Sequence, residues 1–130
     1  SSDVCSSDLS KFGLGNYAMN QAGVAAAVAS YNDLEFLNYS KTRIVEARQM
    51  INEVARANGL NPAPSQTSFV FIDLGDLNAE TFRQEMAKRQ IMIRGIYQDY
   101  TNWSRVSTGL LPDVQRFVKA VPEVLDAMKA

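Results

Sequence analysis

Between Leu34 and Asn58 apolar residues recur at helical spacing, and the stretch ends in a stop that forces a change of structure. Ile44, Ala47, Ile51, Val54 and Ala55 share one stripe, while Lys41, Arg43, Glu46, Arg48, Gln49, Glu53 and Arg56 take most other positions. Asn58-Gly59 supplies a C-terminal stop, and Pro62 and Pro64 forbid quick resumption of helix. There follows Ser-Phe-Val-Phe-Ile-Asp-Leu, residues 68–74, β-branched and aromatic along its length and the strongest strand signal in the chain. Its near-continuous apolar character predicts a central strand covered on both faces. A long helix with one apolar side predicts an element that spans a junction between domains.

The remaining elements are shorter. Asn20 to Ser30 is small and apolar nearly all round, which predicts a helix buried or held at an interface, and Asn32 or Asp33 can cap the helix that follows. Asn78 is placed to cap another helix, with Glu80 in its first turn and Ala79, Phe82 and Met86 as its inner stripe. Two short β-type runs come next, Ile-Met-Ile-Arg-Gly and Ser-Arg-Val-Ser-Thr-Gly. A last helix is expected from Pro112, burying Val114, Phe117, Val118, Val121, Leu125 and Met128. Pro122 removes one of its backbone hydrogen bonds and predicts a kink or break near Val121. Leu111 is a poor residue to cap it. Helix, long helix, strand, helix, strand, strand, helix is an α+β order, an open sandwich with a small sheet under helices.

Several function classes are excluded by what the chain lacks. It has 130 residues and no histidine, so neither a Ser-His-Asp or Cys-His site nor a histidine-based zinc site can be built, and no metal is expected. The single cysteine, Cys5, cannot form an internal disulfide. A net charge of -1 with scattered Lys and Arg proposes no nucleic acid, and no apolar run is long enough to cross a bilayer.

The chemistry that remains is concentrated between Ile91 and Gly109. The two β-type runs each carry one arginine, Arg94 and Arg105, across an aromatic connection with Tyr97, Tyr100 and Trp103. A planar guanidinium fork matches the oxygen pair of a carboxylate or phosphate, so two of them beside an aromatic loop suggest an anion pocket. The competing reading is two solvated strand residues. The choice depends on whether the arginines share a sheet face, which register decides. Tyr97, Tyr100 and Trp103 can stack on a flat substrate or merely cover the sheet edge.

The succession GNYAMNQAGVAAAVASYND, the long helix, PSQTSFVFIDL, IMIRG and then SRVSTG before a Pro-initiated helix resembles the C-terminal part of the fold-type I pyridoxal-phosphate aminotransferases, and among them the histidinol-phosphate aminotransferase-like branch. The resemblance runs from Lys11 to the end. It implies that Arg105 binds the substrate's α-carboxylate and that Arg94 lies near a distal phosphate. It implies pyridoxal 5'-phosphate in the complete enzyme, an amino donor and a 2-oxo acid as small-molecule substrates, a cytoplasmic homodimer, and a pocket that Tyr17, Tyr97 and Tyr100 help to shape. The family's Schiff-base lysine and cofactor-phosphate loop would lie upstream in a missing large domain; Lys11 follows a serine as the cofactor lysine does, but stands too near the Asn-x-x-Gly helix to be that lysine. Catalytic and cofactor-binding residues are therefore expected outside this piece, which alone should be inactive. Ser68 stands where the family usually has Asn, which puts that residue's contact in doubt.

The expected organisation follows. Residues 1–9, a near-repeat of Ser-Ser-Asp, resemble translated adapter sequence; 10–33 hold the tail of the large domain and the small apolar helix; 34–58 form the interdomain helix; and 59–130 form the small C-terminal domain. A free-standing α+β module that captures an acidic small molecule is the alternative from another class. Within the enzymes, an amino-acid phosphate decarboxylase or an aromatic aminotransferase is the rival.

Overall fold

A computed structural model of the chain describes residues 20–129. Tyr17, Lys11 and Cys5 lie outside the described residues. The chain divides into two compact units between Ser40 and Lys41, inside the long helix.

In the first unit, helix α1 spans Gln21–Asn32, capped by Asn20, whose side chain accepts from the backbone N–H groups of Ala22 and Gly23 at 2.9 and 3.3 Å. Asp33 caps the next helix, α2, Leu34–Ala57, by accepting from the Phe36 N–H at 2.9 Å. Helix α1, expected to be buried or held at an interface, is exposed along most of its described length. Val28, Tyr31, Leu34 and Phe36 all stand exposed, because no second layer covers these helical stretches among the described residues of this unit.

The second unit carries the core. Ala47, Ile51, Val54 and Ala55 of α2 are buried in it, the predicted stripe without Ile44, which is only half-buried. The helix ends as Asn58-Gly59 requires: Gly59 takes a φ of +77°, and the Leu60 N–H returns to the Ala55 carbonyl at 2.9 Å. Two residues, Asn61–Pro62, form β1. They pair antiparallel with β2, Phe69–Asp73, which pairs antiparallel with β3, Trp103–Ser107, giving the order β1-β2-β3. Helix α3 covers Ala79–Lys88 and α4 covers Leu111–Lys129.

β2 is central as expected, but only one of its faces is closed. Val70 and Ile72 are buried against the helices, opposite Val106 and Ser104 of β3, while Phe69, Phe71 and Asp73 on the other face are half-buried. Continuous apolar sequence therefore reflects a helix layer on one side and an aromatic surface on the other. The expected strand around Ile91–Arg94 shrinks to a single antiparallel bridge at Arg94. Gln90, at φ +60°, turns the chain sharply out of α3, which leaves little length to pair before the aromatic loop.

Helix α4 begins one residue earlier than predicted. The Leu110 carbonyl accepts from the N–H groups of Asp113 and Val114, so Leu111 is the first helical residue rather than the cap. Its half-buried side chain packs on the core, which accounts for an apolar residue at that position. The helix also runs through Pro122 without a break. Pro122 faces outward between buried Val121 and Val124, so the apolar stripe of α4 stays in place on the core across the lost hydrogen bond.

Candidate functional site

The open face of the sheet is built by register. Phe71 stands opposite Arg105, Phe69 opposite Ser107 and Asp73 opposite Trp103. On the other side of β3, Arg94 forms an antiparallel bridge directly to Arg105, its N–H donating to the Arg105 carbonyl at 3.2 Å. Residues directly opposite in an antiparallel ladder send their side chains to the same face. Phe71, Arg105 and Arg94 thus form one row, and the two arginines do share a face.

A buried hydroxyl holds this arrangement. Ser104 is fully enclosed, and its Oγ donates to the Arg94 carbonyl at 2.9 Å. The aromatic loop is fixed at its tip by a tight turn in which Tyr97 and Tyr100 pair and Gln98 takes a φ of +53°. Its return is tied to the rest of the unit: the Leu74 and Ala79 N–H groups donate to the carbonyls of Asn102 and Thr101, and the Asn102 side chain donates to Asp73.

The guanidinium groups lie on rings. Arg94 stands 5.3 Å from the centre of the Tyr97 ring, and Arg105 stands 5.4 Å from Phe69 and 6.0 Å from Tyr97. Phe71 meets both Phe69 and Tyr97 edge-on, at 5.7 and 5.5 Å. Among the described residues no carboxylate pairs with either arginine, and the Arg105 Nε is buried without a hydrogen-bond partner. Like charges directly opposite across a ladder destabilise it, so this pair carries a cost that a bound anion would remove.

A cleft of about 420 Å³ opens beside them, lined by Arg83, Met92, Ile93, Arg94, Gly95, Arg105 and Ser107. Arg83, a third cation that sequence reasoning passed over, reaches it from α3. It donates from Nε and Nη2 to Glu80 at 3.0 and 2.5 Å. That hydrogen bond is the main reason the Glu80 carboxyl is held below its ordinary value and the Arg83 guanidinium above its own. Gly95 is buried under this pair, and a Cβ there would run into the Glu80 carboxylate and the Arg83 side chain. Phe69 and Phe71 were equally unremarked; the alternation Phe-Val-Phe-Ile-Asp was the signal that would have placed both rings on the arginine face.

Tyr97 is thus brought into the arginine cluster and Tyr100 to its margin, in a second, apolar hollow with Ala63, Phe71 and Trp103. Ser68 gives its carbonyl to the N–H and hydroxyl of Thr108, at 2.8 and 2.9 Å, and closes the far end of the β2–β3 pair.

A small antiparallel sheet with helices on one face and an unpaired arginine row on the other is an α+β fold shared with fold-type I aminotransferases. The family model for aminotransferase class I and II matches residues 5–121, and the chain belongs to that family. It is 29% identical over 119 residues to the histidinol-phosphate aminotransferase of Methanopyrus kandleri, covering 85% of this chain and 30% of that protein. The crystal structure of histidinol-phosphate aminotransferase from Sinorhizobium meliloti, in complex with pyridoxal-5'-phosphate, matches with a TM-score of 0.76 at 31% identity, over 87% of this chain and 32% of that one. L-threonine-O-3-phosphate decarboxylase from Porphyromonas gingivalis shares the fold, with a TM-score of 0.58 at 21% identity over 65% of this chain and 27% of its own. The chain spans about 30% of the length of the curated relatives it matches.

Proposed function

We propose that this chain is the C-terminal part of a pyridoxal-phosphate-dependent aminotransferase of the histidinol-phosphate aminotransferase kind, and that it supplies the grip on the substrate's anionic groups. The observation that carries this is the Arg94–Arg105 row: two guanidiniums directly opposite each other, on one sheet face, with no carboxylate partner among the described residues. Arg105, half-buried and steadied on Phe69 and Tyr97, offers its fork to the α-carboxylate. Arg94, exposed and steadied on Tyr97, takes the second anionic group at the side-chain end. Each such charged hydrogen bond contributes roughly 1.5–3 kcal/mol, enough to fix which end of the substrate faces the chemistry.

Pyridoxal phosphate, where bound, supplies the electron sink for amino transfer. Among the described residues Lys41, Lys88, Lys119 and Lys129 are all exposed and none lines the arginine cleft, which supports a cofactor lysine elsewhere. In this reading the cofactor and its lysine belong to a large domain outside this piece, the complete enzyme is a homodimer, and residues 59–130 are its small domain. The amino donor and the 2-oxo acid meet this chain through their carboxylates.

The experiment is made in the complete enzyme. Arg105→Ala should lower kcat/KM for phosphorylated and plain amino substrates alike, by about 10- to 100-fold. Arg94→Ala should abolish the preference for the phosphorylated one. An unchanged preference in Arg94→Ala refutes the phosphate role. A cofactor–lysine absorbance on adding pyridoxal phosphate to this chain alone would overturn the placement of the lysine elsewhere.

A further inference from the structure

The covered side of the sheet holds one polar exception. Val70, Ile72 and Val106 are buried there against the helices, and Ser104 stands among them, opposite Ile72, as the one buried polar residue among those described. A hydroxyl in an apolar layer loses its water and costs stability unless it is bonded, whereas an alanine would pack there without that cost. Its single proton goes to the Arg94 carbonyl.

Arg94 depends on that bond more than a residue inside a ladder would. In a regular antiparallel sheet, hydrogen-bonded pairs exchange both N–H···O bonds and repeat along the strands. Arg94 meets Arg105 as an isolated bridge, and its N–H donates at 3.2 Å. The residue after it is Gly95, which has no side chain to restrict its backbone and lies buried against Glu80 and Arg83. The Ser104 hydroxyl therefore sets the plane of the Arg94–Gly95 peptide. Arg105 has no such need, because it lies within β3 opposite Phe71, with paired residues on either side.

We propose that Ser104 is a positioning residue that acts through Arg94: by fixing the Arg94 carbonyl it fixes the direction in which the exposed Arg94 side chain leaves the sheet toward Tyr97. This rests on the reading of Arg94 as the grip on the second anionic group. Discrimination between substrates with and without that group then depends on a fully enclosed hydroxyl that touches neither of them.

The positioning is tested in this chain by NMR. The Arg94 guanidinium lies 5.3 Å from the Tyr97 ring and that of Arg105 5.4 Å from Phe69, so both side chains should carry ring-current shifts. Ser104→Ala should move the Arg94 side-chain signals toward those of a free arginine and leave those of Arg105 in place. Arg94 signals that stay put overturn the proposal, whatever Arg94 binds. In the complete enzyme, Ser104→Ala should raise KM for a phosphorylated substrate about tenfold, with kcat and the plain substrate unchanged. It should have no effect once Arg94 is alanine. A loss that is equal for both substrates, or that persists in Arg94→Ala, marks a merely structural role and also overturns it. Ser104→Cys, close in volume and a weaker donor, should give the same selective changes in smaller measure, and serves if Ser104→Ala does not fold. An unchanged preference in Arg94→Ala alone refutes the phosphate role, and the NMR result still decides whether Ser104 positions Arg94.

Discussion

The Glu80–Arg83 pair shows how a single contact sets charge at the edge of the cleft. Arg83 lines the cleft and is also bound by Glu80, so part of its charge is already answered, unlike that of Arg94 and Arg105. The Glu80 carboxyl is lowered first by its hydrogen bond to Arg83 and, to a lesser degree, by Gln84. A carboxyl whose folded value is depressed contributes stability above its unfolded value, and loses that contribution as pH falls through the folded one. The contribution should therefore be complete above about pH 4.3 and decline only at more acid pH. Both side chains are solvent-accessible, so the readout belongs to the carboxyl itself: a carbon-detected NMR titration should place Glu80 below an ordinary glutamate, and Arg83→Ala should bring it back up. An unmoved midpoint in Arg83→Ala would assign the shift to another source. The arginines themselves were legible in the sequence, because residue type and the aromatic interval flagged Arg94 and Arg105. Arg83 was not, because its route to the cleft depends on the bare backbone at Gly95, a tertiary fact with no local signature.

At the scale of elements, capping chemistry was read with the least ambiguity and pairing with the most. Asn78 caps α3 by accepting from the Glu80 and Thr81 N–H groups at 2.9 and 3.2 Å, and the Phe82 N–H returns to its carbonyl. Asn78→Ala should cost about 1 kcal/mol in denaturant unfolding. The same substitution at Asn20, which caps α1 outside the core, should leave the main transition where it is. Equal losses at both positions would mean that α1 unfolds with the core. The residues that seemed to make a second strand, Ile91–Arg94, had the composition of β structure and only one residue of its pairing, because Gln90 and the turn at Gln98 leave little room between α3 and the loop. What the segment needs from β3 is supplied by the Arg94–Arg105 bridge and the Ser104 hydroxyl. Propensity could not show that, since it carries no information about register. Nor could it show that α4 passes Pro122 unbroken, which follows from the buried Val121 and Val124 on either side.

Among the described residues, apolar burial is confined to the second unit, and six of the ten exposed large apolar side chains lie in the first. Every buried residue of the core lies at or beyond Ala47, whereas Val28, Tyr31, Leu34, Phe36, Leu37 and Tyr39 stand exposed before Ser40. Six large apolar side chains left in water over some twelve residues gain nothing from burial and favour association with other apolar surface. Of these residues only Val28 falls in the stretch, Asn20 to Ser30, that the sequence marked as buried or interfacial; composition identified the character of that stretch and could not supply the surface it needs. Stability of this chain should therefore reside in residues 41–129. A chain that begins at Lys41 should unfold in urea within about 0.5 kcal/mol of the longer one, with the same steepness of transition, since every buried core residue among those described lies beyond Ser40. It should also keep the Arg94–Arg105 face, so its affinity for propionate should match that of the full chain. A loss of several kcal/mol on removing residues 1–40 would show that α1 and the first turns of α2 are part of the cooperative unit, and that their exposed side chains are partly sheltered in solution.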